Sequence, residues 1–195
     1  MNRMLLLLAV VLLSAGCSTR MVQLKYTPQQ ALPAVEGAAQ VGTVTVRDQR
    51  KDDPDWMGTV RGGYGNPLKT LKARDSVAAQ YQQALVDALQ RRGLYREADK
   101  AGLTLAVDIL RLDSIYIMNQ EANVETAYAL TDPAGARLFE NTARTHLEES
   151  AHGLGIAANM DSFQGFTEKA IYDNIGRIAG DPGLVEALRK RRSAQ

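Results

Sequence analysis

Residues 122–148 read ANVETAYALTDPAGARLFENTARTHLE, and this stretch decides the fold class. Ala122, Val124, Thr126, Tyr128 and Leu130 fall on every second position, the period of a strand with one buried face. Asp132-Pro133-Ala134-Gly135 then forms a turn, because proline presets φ for the bend and glycine is free to take a positive φ. The chain returns through roughly residues 136–148. An antiparallel hairpin is therefore expected here. Upstream, Leu103, Leu105, Val107 and Ile109 alternate before the pattern shifts to Leu110 and Leu112, which predicts a strand interrupted by a bulge.

Working outward, Val41, Thr43, Val44, Thr45 and Val46 predict a further strand, since β-branched residues dominate it. Residues 48–70 contain Pro54, Gly58, Gly62, Gly63, Gly65 and Pro67 and are read as a long loop. Over residues 73–92 the apolar stripe Val77, Tyr81, Ala84, Leu85, Ala88, Leu89 has helical spacing, and Gly93 suits the left-handed position that ends helices. A second helix is expected from about Asp161 as N-cap, burying Phe163, Phe166, Ala170, Ile171, Ile175 and Ile178. Gly180-Asp181-Pro182-Gly183 breaks it, and a short helix runs from Leu184 to about Arg192. The order β-α-β-β-β-α-α implies an α+β domain, a mostly antiparallel sheet of about four strands with helices packed on one face.

The N-terminus has the three parts of an export signal: Arg3, the apolar run Met4 to Leu13, and the small residues Ser14, Ala15 and Gly16. Ten apolar residues fall well short of the roughly 20 needed to span a bilayer. An ordinary secretory cut and a lipoprotein cut both accept these small residues. Cys17 separates them: it is the only cysteine, so it closes no internal disulfide, and a free exported thiol would be a liability. Leu13 to Cys17 (LSAGC) resembles the bacterial lipobox, with Leu13 one step earlier than that pattern places it. The resemblance implies a signal peptide over 1–16 and a diacylglyceryl thioether on Cys17, usually with an acylated amine. Several acyl chains at about 0.8 kcal/mol per buried CH2 anchor stably where one would not. Ser18, rather than Asp, in the second mature position implies the outer membrane by the enteric sorting pattern, with the domain facing the periplasm.

Removal of 1–16 takes away one charge, Arg3, leaving 179 residues with 22 basic against 22 acidic side chains. This neutral balance gives no overall field for nucleic acid. With 45% hydrophobic residues and no cysteine pair, stability must come from a single core. Residues 17–38 are read as the lipidated N-terminus and a tether, about 65 Å long if extended, and 39–195 as the domain. Val22, Leu24 and Tyr26 alternate within the tether and would suit a short edge strand.

The sequence resembles the YajG-like lipoproteins of Gram-negative bacteria. The likeness lies in the lipobox, in the first strand running into Asp48-Gln49-Arg50, in the helix ending near Arg92-Gly93-Leu94-Tyr95, in the strand Leu103–Leu112 with its hairpin, and in the C-terminal helix. The Gly-rich loop after Asp48-Gln49-Arg50 departs from that family in length and composition. The resemblance implies an outer-membrane lipoprotein and supplies no catalytic residues.

Chemical motifs are sparse. Val60 to Asn66 (VRGGYGN) has neither GxGxxG nor GxxxxGK[ST] spacing, so a surface loop is expected and no phosphate cradle. Asp52, Asp53 and Asp55 lack the ordered ligands and terminal glutamate of a calcium loop. His146 and His152 would share a face with Glu148 if the strand continued, but they do not form HExxH; no metal is expected. No GxSxG elbow is present, and carboxylate pairs for hydrolysis are invisible to sequence. The expectation is a non-catalytic module without cofactors, attached to the membrane through its lipid and binding an envelope protein. An accessory subunit of an envelope transport or assembly machine, or an envelope hydrolase, are the alternatives. Trp56, on the expected loop, is a candidate partner contact, unless it packs over the core. Arg189, Lys190, Arg191 and Arg192 complement a helix dipole and are also candidate contacts for anionic lipid or an acidic partner.

Overall fold

The computed structural model describes residues 18–28, 32–97, 102–150 and 158–193. The leader, Cys17 and His152 lie outside these residues. The expected hairpin is present as β6 (Asn119–Thr131) and β7 (Arg137–Ser150), paired antiparallel over their length. Its turn is held by Asp132, whose Oδ1 accepts from the N–H groups of Ala134 and Ala136 at 2.9 Å each, while Gly135 takes φ +83°. Antiparallel to β6 lies β5 (Leu103–Tyr116), with its register shift between Ile109 and Arg111 where the alternation breaks.

The rest of the sheet corrects the sequence reading. The sheet has seven strands and is mixed, not about four and mostly antiparallel. β2 (Val41–Asp48) runs parallel to the first half of β5, and β3 (Trp56–Arg61) runs parallel to its end. β4 (Pro67–Ala73) pairs antiparallel with β3, and β1 (Ser18–Val22) adds in parallel to β4. Residues 48–70 were expected as loop because glycine, proline and lysine obscure any alternation. Tertiary context overrides that composition. Gly58 is required for it: a Cβ there would stand 2.7 Å from the Ser114 carbonyl oxygen and 3.0 Å from the Phe163 ring, so only glycine lets β3 lie this close to β5.

β5 changes partner midway, from β2 to β3, and that change leaves backbone carbonyls to satisfy. Arg50 reaches into the split. Its guanidinium donates to Trp56 O at 2.9 Å and Leu112 O at 3.0 Å, and pairs with Asp48 at 2.7 and 2.9 Å. The Arg50 side chain is 2% exposed and that of Asp48 13%. The most distinctive motif of the sequence, Asp48-Gln49-Arg50, thus closes a seam in the sheet.

Among the described residues three helices cover one face, as expected. α1 (Val77–Arg91) is capped by Ser76, whose hydroxyl accepts from the Ala79 N–H, and is followed by Gly93 at φ +70°. α2 (Met160–Gly180) is capped by Asn159, which accepts from the Asp161 N–H at 2.8 Å, so the cap falls two residues before Asp161. α3 (Pro182–Ser193) begins with proline at its first turn, where the missing N–H costs nothing. Among the described residues no helix is long and apolar enough to cross a membrane. Between helices and sheet the core holds Leu85, Leu89, Leu105, Ile109, Leu112, Leu130, Phe163 and Ile171. One polar node lies in it. Asn174 Oδ1 accepts from Tyr81 Oη (2.6 Å) and Thr126 Oγ1 (2.9 Å), and its Nδ2 donates to Val124 O and Ala143 O (3.2 Å each). It joins α1, α2, β6 and β7.

The stretch read as a tether is packed in its described part. Val22 and Leu24 are buried. Gln80 accepts from the Leu24 N–H at 2.7 Å and donates to Val22 O. Tyr26 meets Tyr172 edge-on at 5.6 Å. Further on, Val35 N–H donates to Arg92 O, and the Arg92 side chain donates to Pro33 O and Ala179 O. Thin apolar content suggested a free linker, but two buried side chains and polar groups reaching from α1 bind the segment down.

Candidate binding groove

α2 crosses the sheet beside β7, which pairs only with β6 among the described strands. A strand with one partner leaves alternate N–H and C=O groups open on its other edge. Between that edge and α2 runs a groove of about 820 Å³. Its walls are Asn141–Arg144 of β7 and Lys169, Tyr172, Asp173, Gly176, Arg177 and Gly180 of α2; Tyr26 and Leu32 close one side, and Tyr128 and Asp181 lie at its base. The helix side is periodic: positions 169, 173 and 177, and 172, 176 and 180, recur every four residues and project together. Lys169 and Asp173 pair at 2.9 Å. Arg177 is exposed and makes no ion pair among the described residues. Gly176 has no atom within 4 Å of where a Cβ would sit, so the groove is open over the helix backbone.

Its floor is rigid. Asp181 caps α3, its Oδ1 accepting from the Gly183 N–H at 2.6 Å and the Leu184 N–H at 3.3 Å. Its Oδ2 accepts from Asn141 Nδ2 at 2.8 Å and from the Tyr128 hydroxyl. Burial opposes charge on Asp181, yet these four donors hold its carboxyl below the usual range. Both its oxygens are thus engaged in hydrogen bonds. Burial, with the neighbouring Asp181 carboxylate, pushes Tyr128 upward. Burial and then Glu168 push Tyr172 up to about 12. Both phenols stay protonated at neutral pH; the Tyr128 hydroxyl donates to Asp181, and the Tyr172 hydroxyl accepts from the Lys25 N–H at 2.9 Å. Asn141 also covers part of the strand edge, accepting from the Thr142 N–H at 2.8 Å.

The residues singled out from sequence are scattered. Trp56 is not on a loop: it opens β3, half-buried, with its indole N–H donating to Thr59 Oγ1 at 3.0 Å. The basic tail is divided. Lys190 pairs with Glu186, Arg192 donates to Ala38 O, Arg191 is half-buried, and Arg189 is exposed. Lys72 lies 2.8 Å from Asp53 and 3.4 Å from Asp55. Hydrogen bonding to Asp55 and Lys72 lowers the Asp53 carboxyl to about 2, so Lys72 offsets part of the charge of the acidic turn. His146 stands on the helix-free face, 2.9 Å from Asn123 Oδ1 and 4.0 Å from Glu121. Among the described residues no group of three metal-ligating side chains converges. The groove itself escaped sequence reading. The spacing of Lys169, Asp173 and Arg177 marks a polar helical stripe, but nothing local says which strand edge it faces.

No family model matches the chain, and neither does any curated protein. In shape it is similar to protein XCC0632 from Xanthomonas campestris, of the family DUF330, with a TM-score of 0.61 and 16% identity over 91% of this chain and 100% of that one. A second solved structure, of an uncharacterized protein, gives 0.54 with 11% identity, covering 85% of this chain and 99% of the other. A minor lipoprotein from Acinetobacter baumannii gives 0.44 with 10% identity over 75% and 93%. At such identities the first two likenesses concern the fold alone: the α+β arrangement is one that other chains adopt over nearly their whole length.

Proposed function

We propose that this chain is a non-catalytic envelope lipoprotein, anchored through Cys17 in the outer membrane and facing the periplasm, whose groove binds an extended segment of an envelope protein. The observation that carries the reading is the open β7 edge forming one wall of a groove of about 820 Å³. A segment laid there would pair with the β7 backbone by strand addition while its side chains met the polar face of α2. Charged residues on β7, among them Arg137, Glu140, Arg144 and Glu148, guard such an edge against indiscriminate pairing, so the partner must carry complementary charges. The committed oxygens of Asp181 and the protonated phenols favour binding over catalysis. The anchor and the likeness to YajG-like lipoproteins rest on LSAGC and Asp48-Gln49-Arg50.

The test is a photo-crosslinking amino acid at Arg177, irradiated in intact cells. A discrete adduct is expected, and Gly176→Trp, whose Cβ finds open space at the groove wall and whose ring occupies the groove, should abolish it. The same adduct from a position on the helix-free face, such as Thr45, or its survival in Gly176→Trp, would remove the groove from consideration.

A further inference from the structure

Strand register carries a second site. Ser18 is level with Lys69 of β4, Lys69 with Val60 of β3, Val60 with Tyr116 of β5, Tyr116 with Gln120 of β6, and Gln120 with Glu149 of β7. This row of paired residues crosses the sheet at one end. Among the described residues, the strand tips extend past it: the β3–β4 hairpin loop 62–66, the β5–β6 turn at Ile117 and Met118, and the end of β7. Ser18, the first described residue and the one that follows Cys17 in the chain, stands on this row, so the Cys17 Cα is one covalent step of about 3.8 Å from it.

Two of these tips, the β3–β4 loop and the β5–β6 turn, carry exposed apolar side chains where exposed tips are ordinarily polar. Tyr64 projects fully exposed from the β3–β4 loop, Met118 is 66% exposed and Ile117 37%. Among the described residues five large hydrophobic side chains are exposed, and three of them lie beyond this one row. At the opposite end the β6–β7 turn is Asp132-Pro133-Ala134-Gly135. The basic end of α3 lies there too, with Arg192 on Ala38, three residues before β2 begins beside Leu103. From Leu103 to Tyr116 β5 spans about 43 Å at roughly 3.3 Å per residue.

We infer that the end of the sheet bearing Tyr64, Ile117 and Met118 is a bilayer-contact surface, set into the headgroup region when acyl chains on Cys17 are inserted. The inference rests on the anchored Cys17 of the proposed function. Because β1 is hydrogen-bonded to β4 from Ser18 onward, the residue next to the anchor is held in the fold, and the depth of the anchor sets that of the tips. Met118 lies two residues past the row. Three strand spacings, about 14 Å, separate β1 from β5. A tyrosine on a glycine-rich loop suits the interface, where its ring is amphipathic. Charge sets the tilt. Arg61 and Lys69 lie on the anchored side, with Arg20 paired to Asp161, whereas Glu121, Glu148 and Glu149 lie on the β6–β7 side. Anionic headgroups draw the first side down and repel the second. The groove, reached from Arg144, stays roughly 17 Å from the row at Glu149, five residues' rise along β7.

The test uses the full mature lipoprotein in phosphatidylethanolamine–phosphatidylglycerol vesicles. An environment-sensitive fluorophore is attached through Met118→Cys, through Tyr64→Cys in a second protein, and through Ala134→Cys as the control at the far end. A thioether at Cys17 does not react with the label. Lipids spin-labelled near the headgroup should quench positions 118 and 64 several-fold more than position 134, and aqueous iodide should do the reverse. If all three positions respond alike in protein whose mass shows acylated Cys17 and which floats with the vesicles, the contact surface is overturned and the anchor stands. An unmodified Cys17 overturns both.

Discussion

Replacing Arg50 by methionine tests whether Asp48-Gln49-Arg50 is a seam in the sheet or a functional signature. Methionine keeps much of the side-chain volume but removes every donor. Asp48 then loses a buried ion pair, and the carbonyls of Trp56 and Leu112 lose their side-chain donor. Breaking one side of a buried pair costs about 3–5 kcal/mol. A stranded carbonyl adds to this, but neighbouring losses do not sum, so about 3–5 kcal/mol is expected in total. With a urea m-value of about 2 kcal/mol/M the midpoint should fall by about 1.5–2.5 M, followed by far-ultraviolet circular dichroism. Asp48→Asn in the same background removes the stranded charge and should recover about 1–2 kcal/mol, since the penalty for an unpaired buried charge exceeds that for a neutral amide. A loss below about 1 kcal/mol, or no recovery in the double variant, would refute the seam.

Three further outcomes follow from the same structure. Gly58→Ala places a Cβ against the Ser114 carbonyl and the Phe163 ring; it should cost about 1–3 kcal/mol by overpacking, and an unchanged urea midpoint would show that β3 can move away freely. Asn174→Leu deprives the buried hydroxyls of Tyr81 and Thr126 of their acceptor. At about 1–3 kcal/mol per unsatisfied group it should cost about 2–5 kcal/mol, and thermal melts showing no loss would mean that the node is dispensable. The Asp181 carboxyl is held low in the fold, so near its unfolded value of about 3.9 the unfolded chain binds more protons. Its contribution is present above that pH and is lost as pH falls through the folded value. Urea midpoints of wild type and Asp181→Asn should therefore converge below about pH 4, and a pH-independent gap would disprove the linkage.

The stretch 122–148 was legible because a period of two and a turn signature are properties of contiguous residues. The same holds for the helix stripe at Val77–Leu89 and for the bulge after Ile109. β3 and β4 were not legible as strands, and the edge strand suggested by Val22, Leu24 and Tyr26 lies instead at Ser18–Val22. Ser18-Thr19-Arg20 is polar because it forms an exposed edge, and Gly58 looks like a loop residue although it marks a close approach between strands. The polar stripe Lys169–Asp173–Arg177 could be read from the chain, yet its meaning depends on β7 lying opposite.

The sequence by itself determined the α+β class, the core-facing hairpin, the helical stripes and the placement of Cys17 behind an apolar run and three small residues. Only the tertiary structure decided that β5 divides its edge between β2 and β3, that Arg50 closes the gap, and that α2 and β7 enclose a groove. It also decided that Ser18, Val60 and Tyr116 share one row. The physical reason is range: periodicity, capping and turn chemistry act within a few residues, whereas parallel pairing and register join segments tens of residues apart, and are fixed only when the whole core closes.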